Sequence, residues 1–285
     1  MHEGPIARAY LSRMRQAKLQ PGAIILLVYS HNSRGKNLVG RYLPRIVRPW
    51  YAEKHQEVSQ NYWPRRLKHD YPLLFDTIAK SLGPITENPD SLLKQMQGKF
   101  NYADFTEGEV TKVYIRTLKD PILLDRIKHS IHPTFIYTGG GIVPSEVLSL
   151  PGIRFIHTHP GHLPHVRGAD GLLWSTLVRG RPGASCFFLD EGIDTGPIIA
   201  AEDYPAITFQ IPGGMLRPDD KTLYRAVFSY YDPILRAEAL IKTLNQSIDL
   251  PKLPGKNQDH SLGVTYHFMH PLVYGEALSR LFISE

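Results

Sequence analysis

A regular alternation of strand and helix patterns over residues 113–201 constrains the fold more than any other feature of the chain. The pattern predicts strands at 113–115 and 134–138, joined by a helix that begins at Asp120-Pro121. One face of this helix carries Ile122, Leu123, Ile127 and Ile131. Because a helix between two strands returns the chain to the same end of a sheet, this alternation predicts a parallel sheet.

Other segments extend the pattern on both sides. Strands are predicted at 23–30, 153–158, 184–189 and 198–201, and helices at 72–81, 144–149, 170–178 and 219–245. The proline-rich and aromatic-rich stretch 49–110 is otherwise interpreted as irregular. The expected fold is therefore α/β, with a Rossmann-like open, mostly parallel sheet, helices on both of its faces and a small C-terminal appendage. The main domain is assigned to 1–205, and a C-terminal helix with the appendage to 206–285.

Composition and charge limit the class of protein. No apolar run approaches the roughly 18 residues of a membrane span, and residues 1–15 lack the apolar stretch of a signal peptide, so we expect a cytoplasmic location and no membrane partner. Cys186 is the single cysteine, which excludes internal disulfides and multi-thiolate metal sites; it is interpreted as a buried strand residue. The net charge of +6 suits an anionic ligand.

Basic residues concentrate near the N-terminus, interleaved with aromatic residues. They are Arg34, Lys36, Arg41, Arg45, Arg48, Lys54, Arg65, Arg66 and Lys68. This cluster is either a solvated basic face or a surface that binds anions.

Residues that bear chemistry follow three of the predicted strands. A glycine run ends the strand at 134–138, four histidines lie within residues 157–165, and an acidic turn, 190–196, follows the strand at 184–189. In open parallel sheets, ligands bind at the carboxyl ends of the strands. We therefore expect the catalytic or binding groups to meet there.

The segments Gly141–Gly168 and Asp190–Ile199 resemble the core of the 10-formyltetrahydrofolate-dependent formyltransferases, which act on glycinamide ribonucleotide, methionyl-tRNA or amino sugars. The resemblance covers about residues 110–205. It implies that the chain is an enzyme that uses 10-formyltetrahydrofolate as cosubstrate, and that 1–205 is its catalytic domain.

The family's catalytic motif, Asn-x-His-Pro followed later by Asp, maps onto His157, His159 and Asp194. His157 stands where the family has Asn. Formyl transfer needs charge stabilisation at an oxyanion and a proton transfer between two nitrogens, which a histidine and a carboxylate can supply. We expect Asp194 to keep His159 cationic, and a neutral His157 to donate one N–H to the formyl oxygen.

The resemblance also implies a binding site for the pterin ring of the folate. Its expected contacts are Gly141, Val143, Leu148, Leu189 and Gly192. No bound metal is expected.

Two other functions remain open. His157, His159 and His162 imitate the ligand run of a metal-dependent hydrolase, although Gly161 stands where that run has Asp. A non-catalytic α/β binding module is the other alternative. The expected partner is a small-molecule amine, such as an amino sugar, an amino acid or a specialised metabolite, whereas nucleic acid is not expected; the sequence does not define the oligomeric state.

Overall fold

The computed structural model describes residues 1–32, 37–139, 141–246 and 250–284, so that Arg34, Lys36 and Gly140 lie outside the described residues. The helices are α1 (Pro5–Gln16), α2 (Arg48–Gln60), α3 (Tyr62–Asp70), α4 (Pro72–Ser81), α5 (Pro89–Gln97), α6 (Pro121–Lys128), α7 (Ser145–Leu148), α8 (Gly171–Arg179), α9 (Asp220–Ala226), α10 (Asp232–Gln246) and α11 (Pro271–Leu281). The strands are β1 (Ile24–Tyr29), β2 (Val110–Ile115), β3 (Thr134–Ile136), β4 (Arg154–His159), β5 (Val166–Gly168), β6 (Gly183–Phe188), β7 (Ile198–Asp203), β8 (Phe209–Ile211), β9 (Val264–Tyr266) and β10 (Phe282–Ser284).

The strands confirm the α/β class. β1 pairs with β2, β3 with β4, β5 with β9 and β8 with β10, all in parallel. The central sheet has the order β3-β4-β6-β7, and β6 and β7 form the hairpin that the turn at 190–196 predicts.

β6 nevertheless runs antiparallel to β4, with Ile156 opposite Phe188 and His159 opposite Ser185. The expectation that 153–158 and 184–189 end at one edge of the sheet is therefore wrong. A single crossover helix would have made these strands parallel, but the connection contains β5 as well as α8.

Residues 48–81 and 89–97 are mostly helical, contrary to the interpretation of 49–110 as irregular. They form α2 to α5, of which only α4 matches the prediction. Pro49, Pro72 and Pro89 each occupy the first or second position of a helix, where no backbone N–H is needed. Proline here begins helices instead of interrupting them.

Helices cover both faces of the two-stranded sheet formed by β1 and β2. Along β1, Leu27 packs in a cluster with Leu123 and Ile127 of α6, whereas Leu26 packs in another with Leu11 of α1. Because neighbouring residues of a strand point to opposite sides, these two clusters lie on opposite faces.

A long buried helix crosses behind the central sheet. α9 and α10 are joined by one turn of π-helix, Val227–Tyr231, directly before Pro233. Proline cannot donate to the preceding turn, which accounts for the irregular hydrogen bonding between α9 and α10. In the described part of the chain, no helix is both long and apolar enough to cross a membrane.

The C-terminal segment packs back onto the main domain. β9 extends β5, Tyr266 stacks on Trp174 at 4.5 Å, and the Met269 amide donates to Asp170 at 2.8 Å. The division of the chain at residue 205 stays a prediction.

Buried ion pairs fasten α1 to the rest of the molecule. The Arg13 guanidinium donates to the Glu238 carboxylate on α10, and the Thr86 hydroxyl donates to the same oxygen. All three residues are buried. Removing one partner of such a pair leaves an unpaired charge in the interior.

Replacement Glu238→Ala should therefore lower the free energy of unfolding by about 3–5 kcal/mol, because Arg13 loses its counter-ion in a buried position. Urea unfolding of the variant and the parent measures this. Glu276→Ala removes the exposed partner of Arg280 and should leave stability nearly unchanged. Equal effects of the two substitutions would contradict the assignment.

Candidate active site

The last residues of β4 carry two histidines. His157 and His159 lie two positions apart on an extended strand, so that their rings point to the same side. Both side chains are buried, and Asp194 interacts electrostatically with each. The structure thus brings the three predicted catalytic residues together.

The His159 ring lies between two acceptors. Its Nε2 is 2.9 Å from the Val166 carbonyl oxygen, to which it donates, and its Nδ1 is 3.3 Å from Asp194 Oδ2. Burial lowers the pKa of His159, and this outweighs the opposite effect of the Asp194 carboxylate. The expectation of a cationic His159 is therefore wrong. The neutral ring turns its Nδ1 lone pair toward the carboxylate, so that a proton entering this gap is held by both groups.

Two glycines form the slot for this imidazole. A Cβ on Gly161 would lie 2.5 Å from His159 Nε2, and one on Gly171 would lie 2.8 Å from the same atom. Any larger residue would displace the ring. Gly161 follows His159 in the next loop and Gly171 begins α8, and nothing in their spacing indicates this role.

Asp194 reaches His159 because the acidic turn folds back from the end of β6. The residue has a left-handed backbone, with φ of 54°, and the Gly168 amide donates to its Oδ2 at 2.8 Å. Gly168 has φ of 93°, and a Cβ there would lie 2.1 Å from the Tyr266 carbonyl oxygen. Gln258 donates to the backbone carbonyl of Asp194 at 2.9 Å. β9 and the residues before it thus help to fix the carboxylate.

His157 is neutral, as expected, but it does not serve as a donor to a ligand. Burial and the neighbouring Arg236 lower the pKa of His157 to about 4. Its Nδ1 donates to the Tyr137 carbonyl at 3.0 Å, which occupies the one N–H of the neutral ring. Nε2 is left as an acceptor without a partner among the described residues. The expectation that His157 donates to a formyl oxygen is therefore wrong.

A buried ion pair that the sequence did not indicate lies beneath β4. Arg236 on α10 donates to the Thr158 carbonyl at 3.0 Å and to Asp232 Oδ1 at 2.9 Å. Its positive charge lowers the pKa of both His157 and His159. Asp232 Oδ2 is buried without a partner in the described part of the chain, and burial raises the pKa of this carboxyl.

The other two histidines of the cluster point elsewhere. His162 Nδ1 pairs with Asp203 Oδ1 at 2.8 Å, and His165 Nδ1 donates to the Leu262 carbonyl at 2.8 Å. Among the described residues, no group of three His, Cys, Asp or Glu side chains could hold a metal ion. The ligand set of the hydrolase interpretation is not assembled.

Three of the residues expected to contact the pterin ring lie in one apolar cluster. Val143, Leu148 and Leu189 pack in the same apolar cluster as Phe155 of β4. Gly192 lies in the exposed acidic turn, where its amide donates to Asp190 Oδ1 at 3.1 Å. The structure thus places three of these residues in one cluster and Gly192 in the turn that carries Asp194.

Gly141, the remaining expected contact, lines a cavity of about 360 Å³ at the carboxyl ends of β1 and β3. Its walls include the rings of His2, Tyr29 and Tyr137. Tyr137 also borders His157, with ring centroids 5.7 Å apart. A larger cavity of about 770 Å³ lies at the amino ends of the strands, and neither His157 nor His159 lines it.

The contacts of Arg167 and the burial of Cys186 indicate structural roles. Arg167 donates to the carbonyls of Pro164 at 3.3 Å and Gly263 at 3.0 Å, which ties the loop after β4 to the C-terminal segment. Cys186 is fully buried, and burial raises the pKa of its thiol to about 11. This confirms its interpretation as a buried strand residue.

Residues 136–211, which include His157, His159 and Asp194, match the family model described as "Formyl transferase". This segment belongs to the formyl transferase family. The methionyl-tRNA formyltransferase of Syntrophus aciditrophicus is 40% identical over 92 residues, which are 31% of this chain and 29% of that protein. The enzyme of the same name from Deinococcus radiodurans is 41% identical over 68 residues, or 23% of this chain and 21% of that protein. The chain therefore covers less than one third of these curated relatives.

Solved structures are similar to this chain at lower sequence identity. A sugar N-formyltransferase from a Shewanella species has a TM-score of 0.38 and 16% identity, covering 74% of this chain and 82% of that one. A 4-N formyltransferase from Francisella tularensis has a TM-score of 0.39 and 16% identity, covering 60% and 67%.

The neutral, buried His157 predicts a pH dependence of stability. Its pKa is about 4 in the folded chain and about 6.5 in the unfolded chain, so between these values only the unfolded chain binds the proton. The full contribution of His157 is present above pH 6.5 or so and is lost as the pH falls toward 4. His157→Asn should therefore show a flatter decline of unfolding free energy over this window than the parent. Urea unfolding at several pH values tests this, and identical curves would count against a buried neutral ring.

Proposed function

We propose that this protein transfers a formyl group from 10-formyltetrahydrofolate to the amine of a small molecule. The observation that carries the proposal is the His159–Asp194 pair, held within the segment of the formyl transferase family. A buried imidazole lone pair next to a carboxylate is suited to accept a proton from an attacking amine.

The reaction proceeds by attack of the amine nitrogen on the formyl carbon. A C–N bond to the amine forms, the carbonyl oxygen becomes an oxyanion, and the amine nitrogen passes one proton to Asp194, whose side chain is 15% exposed. His159 Nδ1 shares that proton across the 3.3 Å gap. When the bond from carbon to N10 of the folate breaks, the proton moves to N10, and the oxyanion returns to a carbonyl. Formylated amine and tetrahydrofolate are the products.

His157 and Arg236 support this reaction without exchanging protons. The open Nε2 of His157 accepts a hydrogen bond from the incoming amine and so directs its lone pair toward the formyl carbon. Arg236 provides a fixed positive potential beneath β4, and a preorganised positive charge in the interior stabilises a developing oxyanion.

The two sides of the site divide between the two substrates. The pterin ring is assigned to the side of the site that carries the apolar residues Val143, Leu148 and Leu189 and the exposed turn at Gly192. The cavity beside Tyr137 is of a size for a small molecule, and Tyr137 also borders His157, which favours this cavity as the acceptor site. Gly141, expected to contact the pterin ring, would then line the acceptor site instead.

A second candidate acceptor is methionyl-tRNA, which the names of the curated relatives favour. Those relatives extend far beyond the segment that matches this chain. An assay with purified protein, 10-formyltetrahydrofolate and a panel of amines, including amino sugars, amino acids and methionyl-tRNA, discriminates the two. Release of tetrahydrofolate with a small amine but not with methionyl-tRNA supports the proposal. Release with methionyl-tRNA but with none of the small amines favours the second candidate.

Replacement of either central residue should abolish most of the turnover. We expect His159→Ala and Asp194→Asn each to lower kcat by about 100-fold or more, because each removes part of the proton-accepting pair. His129 and Asp125 form an exposed pair at 3.1 Å far from the site and offer matched controls. His129→Ala and Asp125→Asn should retain parental kcat.

Folate binding provides a check that does not depend on the acceptor. At 100 times its dissociation constant, a reduced folate should add about 2.7 kcal/mol to the stability of the parent and of both site variants. The absence of any thermal shift would favour the non-catalytic module, and activity lost to a chelator and restored by zinc would favour the hydrolase.

His157 should be replaceable by the residue that the family has at this position. In His157→Asn, the amide can donate to the Tyr137 carbonyl and present its oxygen to the amine, so kcat should stay within about tenfold of the parent. His157→Ala offers neither contact and should lose more. An Asn variant as inactive as His159→Ala would show that the imidazole does more than position the amine.

A further inference from the structure

Residues 256–266 lie outside the segment that matches the family, yet they run alongside the catalytic loops. Lys256 exchanges two backbone hydrogen bonds with Ile198, both at 2.8 Å, and β9 pairs with β5 from Val264 to Tyr266. Between these two attachments the chain passes the turn that carries Asp194.

Gln258 makes the contact at this point. Its Nε2 donates to the carbonyl of Asp194 at 2.9 Å and to that of Gly196 at 2.7 Å. Both hydrogens of the amide are thereby used. Its Oε1 is buried and has no hydrogen-bond partner among the described residues. The side chain therefore acts as a double donor that ties together two carbonyls of the acidic turn.

The turn needs such a tie at Asp194. This residue has a left-handed backbone, a conformation that is unfavourable for residues with a Cβ. The neighbouring Glu191, Gly192 and Ile193 are exposed and add little packing. The hydrogen bonds from Gln258 favour the backbone conformation that aims the carboxylate at His159.

We propose that Gln258 is a positioning residue, which holds the backbone of Asp194 so that its carboxylate stays beside His159. The inference rests on the proposed function for its effect on turnover, but the contact itself is independent of it. Gln258 touches neither substrate and acts through Asp194.

The kinetic test compares three variants. Gln258→Glu keeps the shape but cannot donate, Gln258→Ala removes the side chain, and Asn257→Ala removes the neighbouring exposed amide, which serves as the control. Misplacement of a catalytic group by about 1 Å costs on the order of 100-fold in rate. We expect a loss of about this size in kcat for both Gln258 variants, with KM for the folate changed less than about threefold and parental kinetics for Asn257→Ala. Parental kcat in Gln258→Glu would overturn the proposal.

A spectroscopic readout separates this inference from the proposed function. Titration of ¹⁵N-labelled histidines by NMR, with the His159 signals assigned from His159→Ala, reports the groups around the ring: Asp194, Asp232, Arg236 and His157. Gln258→Ala should shift the His159 titration to lower pH, because the raising effect of Asp194 is weakened. An unchanged titration would show that Gln258 does not hold the Asp194 carboxylate beside His159, and would overturn the proposal. A shifted titration in a protein that formylates no amine would retain it and reject the proposed function.

Discussion

The proposed chemistry depends on enclosing one imidazole completely. His159 is held by a backbone carbonyl on one nitrogen and faces a carboxylate on the other, in a slot that only glycine can line at Gly161 and Gly171. Burial removes the ring from water and keeps it neutral, while the adjacent carboxylate makes a proton at Nδ1 tolerable. The loop after β4 lines the ring, the acidic turn supplies Asp194, and β9 pairs with the strand whose Gly168 amide donates to that carboxylate.

The long helix behind the sheet connects this site to the N-terminal part of the chain. Arg236 reaches the Thr158 carbonyl from one side of α10, and Glu238, two residues later, pairs with Arg13 of α1. Charges in the interior are costly unless they are paired, so each of these contacts fixes the rotation of the helix. The positive charge of Arg236 beneath the two histidines is therefore held in place by contacts of α10, including the Arg13–Glu238 pair, that lie outside residues 136–211.

Much of the fold and site could be predicted from the sequence. Apolar runs located β1, β4, β6 and β7, Asp120-Pro121 located the start of α6, and the resemblance to the formyltransferases indicated that His159 and Asp194 meet. α2, α3 and α5 were missed because their prolines lie in first turns, where proline is compatible with a helix. The predicted direction of β6 relative to β4 is wrong because β5, which lies between them in the chain, is too short to give a periodic signal.

Side-chain roles were harder to predict than positions. Whether a histidine is charged depends on burial, and the donor role assigned to His157 failed because the Tyr137 carbonyl takes its N–H. Gln258 and Arg236 had no local signal, since each acts on a residue more than sixty positions away along the chain. Contacts of this kind arise only when the chain is folded.

Because β6 runs antiparallel to β4, the number of residues in the acidic turn determines whether Asp194 can reach His159. Phe188 lies opposite Ile156, three residue steps before His159, which corresponds to about 10 Å along β4. The chain must cover that distance between Leu189 and Asp194 while reversing its direction. Deleting one residue from this stretch would leave the histidine and the aspartate both intact and yet out of each other's reach, so the number of residues in the turn is as much a part of the site as their identity.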